Sequence, residues 1–412
     1  MYTAARRPIR VLAADDSAVM RGVLRKLFQT YAQNQSKQLP DMKLCGVAED
    51  GVECLSAVLA LHPDVLVLDL EMPRMHGLDV LERLRVEEPG LPVIMCSSYT
   101  ERGARATLDA LAMGAADYVM KPSKQEGFAS AIETLSSQLL PKIAALAGAG
   151  FEALSGVRAK TTQQVVAQSS YPLSAESSSA CARVEIVVIG ISTGGPSALE
   201  AMLPKLTADF PVPVMIVQHM PKLFTGELAE RLDRRCALRV REAYDGAEVR
   251  PGTIWLAPGD AHMEIAHCTT AKSAGRQAVV QLHQQRNLNS CKPSVDYLFS
   301  SAACLYGAGT LALVMTGMGS DGLNGARSIH QTGGVVLAQD EATSAVWGMP
   351  GRIFQAGLAR NPIPLCALAN ELTARVNAPR RPREISVPKR APQWQNRIAD
   401  SSPRTGVIHG LL

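Results

Sequence analysis

No apolar run in this chain approaches the roughly 20 residues that a bilayer-spanning helix needs. The first residues, Met1-Tyr2-Thr3-Ala4-Ala5-Arg6-Arg7-Pro8, lack the apolar stretch of a secretory signal, so a cytoplasmic location is expected. Aromatic residues are scarce, 4% of a chain that is 47% hydrophobic. Its cores must then be largely aliphatic, as in parallel sheets covered on both faces. Nine cysteines are scattered without a Cys-x-x-Cys pair, and Cys45, Cys96 and Cys304 lie in strand-like or helix-like segments. That pattern argues against a disulfide framework or a zinc ribbon and for buried, reduced thiols. The body also lacks excess charge. The chain is +4, and residues 378–412 alone, with seven basic and two acidic side chains, are +5. Nothing in the body asks for nucleic acid, and the Pro- and Arg-rich end is expected to be disordered.

What is present is a repeated alternation of strand and helix signals. Ile9–Ala14, Met42–Ala48, Asp64–Leu70, Leu91–Cys96 and Asp117–Met120 are apolar strand candidates. Helical patterns such as Leu78–Val86 and Arg102–Met113 lie between them, and Ser17 is placed to cap a helix from Ala18. Five strands with intervening helices predict a doubly wound parallel sheet. Residues 124–146 look helical. Residues 147–182 are rich in Ala, Ser, Gly and Gln, with Ser177-Ser178-Ser179 near the end, and predict a flexible linker. A second α/β pattern follows, with strands expected at Val184–Ile189, Val212–Val217, Thr253–Ala257, Leu311–Met315 and Val335–Ala338, and an antiparallel pair at Met263–Ile265 and Ala278–Leu282. The division is therefore 1–126, 127–182, 183–377 and 378–412.

Asp15, Asp16 and Asp69 fall at strand ends in the first part. If strands one and three are neighbours, the three carboxylates converge. They would repel unless a hard cation sat among them, and Mg²⁺ suits such oxygen donors. Lys121, after strand five, is expected to reach the same spot, and Ser97 to add a hydroxyl. Such a set can hold a phosphoryl group on a carboxylate. Asp64-Val65-Leu66-Val67-Leu68-Asp69-Leu70-Glu71-Met72-Pro73 resembles the phosphoacceptor stretch of response-regulator receiver domains. Asp15-Asp16-Ser17, Ser97 and Tyr118-Val119-Met120-Lys121-Pro122 match that family's other marks. The resemblance implies a flavodoxin-like fold and phosphorylation at Asp69. It implies Mg²⁺ on Asp15, Asp16, Asp69 and the Glu71 carbonyl, and a switch formed by Ser97 and Tyr118, with Lys121 beside them.

The second part places a hydroxyl, an imidazole and a carboxylate just beyond three buried-strand signals. Ser192 lies in Gly190-Ile191-Ser192-Thr193-Gly194-Gly195, His219 in Gln218-His219-Met220-Pro221, and Asp321 in Thr316-Gly317-Met318-Gly319-Ser320-Asp321-Gly322. Strands of one parallel sheet bring these ends to a common edge, and the three groups there make a candidate activated nucleophile. The Ser192 loop has the setting of a nucleophile elbow, with Pro196 able to open the next helix. The amides of Thr193 and Met318 are the candidate oxyanion donors. A phosphate-cradling glycine loop is the rival reading. It lacks the fingerprint spacing and an acid at the end of the next strand, where Gln218 and His219 stand. The order Ser…His…Asp differs from the Ser…Asp…His of α/β-hydrolases. Asp260 and His262 read as structural or substrate-rim residues, and Asp340, likewise at a strand end, as structural.

Those motifs, with Ala257-Pro258-Gly259-Asp260-Ala261-His262 and Ala338-Gln339-Asp340-Glu341-Ala342-Thr343-Ser344, resemble the chemotaxis protein-glutamate methylesterase family. The resemblance spans nearly all of 184–376. It implies a Rossmann-like catalytic domain whose triad is Ser192, His219 and Asp321. It implies hydrolysis of glutamate methyl esters on chemotaxis receptors, deamidation of receptor glutamines, no cofactor for hydrolysis, and a chemotaxis histidine kinase as phosphodonor. A non-catalytic adaptor, a nucleotide-binding output domain and a DNA-binding output domain are the alternatives; no helix-turn-helix follows the linker.

Overall fold

The computed structural model describes residues 7–34, 39–122, 127–148, 183–268, 277–286 and 291–378. The predicted linker beyond 148 and nearly all of the basic end lie outside the described residues. The first sheet comprises β1 (Ile9–Ala14), β2 (Met42–Ala48), β3 (Val65–Asp69), β4 (Val93–Ser97) and β5 (Asp117–Met120). All pairings are parallel, in the order β2-β1-β3-β4-β5. The intervening helices are α1 (Ala18–Gln33), α2 (Gly51–Leu61), α3 (Gly77–Glu87), α4 (Glu101–Ala112) and α5 (Phe128–Gly148).

Period-2 alternation divides the strand side chains between two apolar layers. Val11, Ala13, Val65, Val67, Ile94 and Val119 share one cluster with Leu24 and Leu27 of α1 and Leu135 and Leu139 of α5. Leu12, Leu66, Leu68, Val93 and Met95 share the other with Val80 and Leu84 of α3 and Leu108 of α4. Leu66 and Leu68 are fully buried, each worth about 1.5–3 kcal/mol relative to exposure. Ser17 caps α1 as expected, its hydroxyl accepting from the Met20 amide at 3.3 Å. Asp50 caps α2 through the amides of Val52 and Glu53.

The second sheet is built from β6 (Ile186–Ile191), β7 (Val214–Gln218), β8 (Arg239–Glu242) and β9 (Thr253–Leu256). After a separate antiparallel pair, β10 (His262–His267) and β11 (Ala278–His283), it continues with β12 (Thr310–Val314) and β13 (Val335–Ala338). Its order is β13-β12-β6-β7-β9-β8, every pair parallel. Helices α6 (Gly195–Met202), α7 (Lys222–Asp233), α8 (Val295–Tyr306), α9 (Leu323–Gln331), α10 (Met349–Gln355) and α11 (Leu365–Val376) accompany it. The strand at Arg239–Glu242 is absent from the sequence reading because only Val240 in it is buried, so no apolar run announces it. The β6 and β7 spans sit two residues later than expected at their starts. The apolar runs begin in the connections, where Val184 and Val212 are buried before the ladder starts.

The two α/β units touch along α4, which packs on α6 and α7. Tyr118 of β5 stacks on Phe224 of α7, ring centroids 4.8 Å apart and planes 8° from parallel. The Ser197 hydroxyl donates to the Leu111 carbonyl at 2.8 Å. Arg105 pairs with Glu227 at 2.8 Å. Arg231 joins Asp109 and Glu200, and Arg235 also reaches Glu200. Val346 and Met318, from loops of the second unit, lie in the same apolar cluster as Ile143 and Leu146 of α5. Among the described residues no helix is long and apolar enough to cross a membrane.

Candidate active sites

Both sheets reverse their winding at one place, and chemistry-bearing residues stand at each reversal. In the first sheet the chain winds outward from β1 to β2 on one side and to β3, β4 and β5 on the other. A crevice opens between the ends of β1 and β3, the expected position for a ligand. Asp15 follows β1 and Asp69 ends β3, and both are buried while Asp16 is exposed. Carboxylate oxygens of Asp15, Asp16 and Asp69 lie within 4.8 Å of one another. The Lys121 ammonium stands 2.9 Å from Asp15 and 2.7 Å from Asp69. Burial pushes the Asp69 carboxyl up to about 6, partly opposed by Lys121 and assisted by Asp15. Burial alone would lower the Lys121 ammonium, but Asp15 and Asp69 hold it above its usual range. Three carboxylates against one ammonium leave an all-oxygen donor set with excess negative charge. That fits a hard divalent cation such as Mg²⁺.

Ser97 departs from the expected arrangement. Its side chain is buried, 2.7 Å from the Thr107 hydroxyl and donating to the Gly103 carbonyl at 3.3 Å. It therefore faces α4 instead of completing the carboxylate pocket, because α4 offers it partners that a fully buried hydroxyl requires. Tyr118 is buried against Phe224, and burial carries its phenol well above the ordinary range. Glu71 is exposed and its amide approaches Asp69 Oδ1 at 3.4 Å.

In the second sheet β6 is flanked by β12 and β7, and the reversal lies there. Ser192 follows β6 directly, and its amide donates to the Thr316 carbonyl at 3.0 Å, closing on the loop after β12. The next turn needs Gly194, whose φ of 75° is the left-handed region that glycine enters without strain. Pro196 then sits in the first turn of α6. Gly317 allows the two loops to meet: a Cβ there would stand 2.7 Å from Ser192 Cβ. Gln218, buried at the end of β7, donates from Nε2 to the Ser192 carbonyl at 2.9 Å. Thr316 ties the same region together, its hydroxyl donating to the Thr193 carbonyl at 2.9 Å. Its amide donates to Gln339 Oε1, also at 2.9 Å.

His219 stands beside this turn, its amide donating to the Ile191 carbonyl at 3.1 Å. Its Nε2 is 2.8 Å from Asp321 Oδ2. Asp321 is almost fully buried and is held from several sides. It accepts from the Ser294 hydroxyl at 2.8 Å, the Val295 amide at 2.7 Å and the Gly322 amide at 3.0 Å. Burial would raise its carboxyl, but His219, Val295 and Ser294 together hold it below the usual range. Burial would likewise lower the His219 imidazolium; hydrogen bonds to Asp321 and to the Cys291 thiol raise it above the ordinary histidine range.

The structure brings His219 and Asp321 into contact and sets Ser192 on the adjoining strand end. No hydrogen bond joins the Ser192 hydroxyl to His219; such bonds are often long in enzymes without substrate. The amides of Thr193 and Met318 both belong to the loops around Ser192, and neither donates to a group among the described residues. Asp340 accepts from the Thr343 amide at 3.1 Å and shapes a turn. Asp260 is exposed, while His262 is fully buried and accepts from the Ser294 amide at 3.2 Å, so His262 is no rim residue. Sequence reading missed Ser294 and Cys291. Both stand outside any strand-end pattern; Ser294 occupies the N-cap position of α8, a place that serine favours.

Comparison with known proteins gives a consistent result. Residues 187–372 match the family model for CheB methylesterase, and residues 11–133 that for the response regulator receiver domain. A protein-glutamate methylesterase/protein-glutamine glutaminase of Trichodesmium erythraeum is 41% identical over 369 residues, 89% of this chain and 99% of that protein. A protein of the same name from a Nocardioides species is 42% identical over 372 residues, 89% of this chain and 95% of that one. The crystal structure of the Thermotoga maritima CheB methylesterase catalytic domain shares 40% identity. It covers 47% of this chain and 98% of its own, with a TM-score of 0.44.

Proposed function

The chain belongs to the CheB methylesterase family, and from that premise we propose a residue-level account of its two switch points. The chain is a phosphorylation-regulated protein-glutamate methylesterase and protein-glutamine glutaminase that acts in chemotactic adaptation. Its substrates are glutamate methyl esters, and particular glutamines, on methyl-accepting chemotaxis receptors. Residues 183–377 form the catalytic domain and 1–126 the receiver.

In the catalytic domain Ser192 is the nucleophile. Its hydroxyl attacks the side-chain carbonyl carbon while His219 takes the proton. Asp321, ionised and anchored, orients the imidazole and stabilises its positive charge. The negative oxygen of the tetrahedral intermediate is received by the amides of Thr193 and Met318. His219 then protonates the departing methanol or ammonia. Water attacks the acyl-enzyme with His219 again as base, regenerating Ser192 and leaving glutamate. The observation that carries this assignment is the 2.8 Å His219–Asp321 bond beside the Ser192 turn. The decisive experiment is methanol release from methylated receptor membranes by folded Ser192→Ala. Release near the wild-type rate would remove Ser192 from the mechanism.

In the receiver, Asp69 accepts the phosphoryl group, with the chemotaxis histidine kinase as donor. Asp15, Asp16, Asp69 and the Glu71 carbonyl would hold Mg²⁺, which would supply positive charge beside the phosphorylated carboxylate. Lys121 binds the phosphoryl oxygens, and Ser97 and Tyr118 relay the change. Because the structure turns the Ser97 hydroxyl toward Thr107, this relay requires Ser97 to leave α4 and face Asp69. That movement would loosen α4 and Tyr118 from α6 and α7, releasing the seam that sits beside the catalytic edge. Phosphodonor stimulation of methanol release that survives Asp69→Ala would exclude Asp69 as the switch.

A further inference from the structure

The catalytic edge carries one more group than serine chemistry uses. Cys291 lies in the segment before α8 and is half-buried. A nitrogen of His219, the sulfur of Cys291 and a carboxylate oxygen of Asp321 all lie within 4.8 Å of one another. Three segments distant in sequence thus converge a nitrogen, a sulfur and an oxygen donor on one point. We propose that His219, Cys291 and Asp321 form an inhibitory site for a zinc-class divalent cation, which reversibly closes the hydrolytic edge.

The donor chemistry selects the metal. Thiolate and imidazole favour Zn²⁺ and comparable cations over Mg²⁺ or Ca²⁺. The receiver's Asp15, Asp16 and Asp69 offer only oxygen and have the reverse preference. Three protein donors leave a fourth position for water, the usual arrangement of an open tetrahedral zinc site. Bonds of about 2.0–2.3 Å place tetrahedral donors roughly 3.3–3.7 Å apart. His219 and Asp321 are closer than that, at 2.8 Å, because they share a hydrogen bond; a cation between them replaces it. Asp321 already has the outer support that metal ligands need, from the Ser294 hydroxyl and the Val295 and Gly322 amides. The His219 side chain retains 14% exposure and Cys291 is half-buried, so two of the three donors reach the surface.

Binding involves no redox step. The Cys291 thiol, and His219 where it is protonated, lose their protons to solvent, and each donor gives a lone pair to the cation. A neutral imidazole whose Nε2 is on the cation carries its one proton on Nδ1, so neither ring nitrogen can accept the Ser192 proton. Metal binding and hydrolysis therefore exclude each other. That exclusion rests on the serine-hydrolase assignment; the binding itself does not.

The test uses the full chain in excess Mg²⁺, which occupies the receiver carboxylates. Zn²⁺ is titrated calorimetrically, and Co²⁺ serves as a spectroscopic probe for thiolate ligation. Alkylation of Cys291 is mapped by peptide mass spectrometry with and without Zn²⁺. Expected are one bound equivalent, a thiolate-to-cobalt absorption band, and protection of Cys291 from alkylation. Cys291→Ala and Cys291→Ser should each lose the band and bind Zn²⁺ at least tenfold more weakly. Zn²⁺ should stop methanol release by the wild type, a chelator should restore it, and both variants should need at least tenfold more Zn²⁺ for the same effect. Unchanged Zn²⁺ affinity in both variants, or Cys291 alkylation indifferent to Zn²⁺, would overturn the site. Zn²⁺ held through Cys291 with hydrolysis undiminished would overturn its inhibitory role and point to an error in the His219 assignment.

Discussion

Asp69 and Asp321 are both buried aspartates at the carboxyl edge of a parallel sheet, each 2% exposed. Burial acts on both in the same direction, toward the protonated acid. Their neighbours separate them. Asp69 has Lys121 nearby but also Asp15, and its proton affinity ends up raised. Asp321 is met by His219, the Ser294 hydroxyl and backbone amides, and its affinity ends up lowered. The first carboxylate is left with charge still to be neutralised, which suits a group that must receive a metal ion and a phosphoryl group. The second is saturated with donors, which suits a group that must stay ionised and motionless while an imidazole cycles its proton. The same fold principle thus gives two buried carboxylates opposite proton affinities, and the difference lies in the supply of hydrogen-bond donors.

The comparison breaks most visibly at the nucleophile. Ser192→Ala should lower methanol release by roughly 10⁴–10⁶-fold, while phosphorylation of the receiver by a small-molecule phosphodonor continues unchanged. Loss of both would mean that the two sites are not separable.

Asp321→Asn should cost about 10⁴-fold in kcat, because an amide no longer enforces the useful imidazole tautomer. It also sharpens the electrostatic comparison. The folded-state pKa of His219 is raised, so the neutral base appears only as pH rises through that higher value. In the wild type the rise of kcat/KM with pH should therefore have its midpoint above the ordinary ~6.5, and Asp321→Asn should move the midpoint down. A wild-type midpoint at or below ~6.5 would contradict the raised imidazole. The linked stability has the same sign: the His219–Asp321 contribution is complete below ~6.5 and fades as pH climbs through the raised value. Denaturant midpoints of wild type and Asp321→Asn should converge in that alkaline window.

Between the two sites, the seam is the next target. Phe224→Ala removes the stack on Tyr118, a contact worth about 0.5–1.5 kcal/mol beyond its buried area. Methanol release by the unphosphorylated protein should rise several-fold, with a smaller further gain on adding phosphodonor. Unchanged basal activity with intact stimulation would place the control elsewhere. The smallest expected effect is Arg105→Ala. Its pairing with Glu227 is exposed on the arginine side, 64%, so basal activity should shift no more than about fivefold. High salt should reproduce that shift in the wild type.

Much of this architecture was legible in residue order. β1, β2, β5 and β13 fall where their apolar runs predict, and the residues just past the strand ends include Asp15, Ser192 and Lys121. A buried parallel strand must be apolar along its length, and its carboxyl end is where polarity returns. Both the strand and the functional residue after it are therefore written locally. The departures have equally local causes. Arg239–Glu242 is an edge strand with one buried side chain, and the starts of β6 and β7 were blurred by buried connections.

Tertiary structure alone decided the rest. Nothing near Ser97 in sequence says that its hydroxyl would turn to Thr107 and Gly103 instead of the carboxylates. Nothing near Cys291 says that it would meet His219, seventy-two positions earlier. The Tyr118–Phe224 stack joins two units separated by a long segment of different composition. Periodicity and strand ends report which face of an element is buried and where its polarity returns. The direction of a side chain at that end depends on which hydrogen-bond partners and apolar surfaces other elements bring to it. Those partners are set only when the sheets have packed.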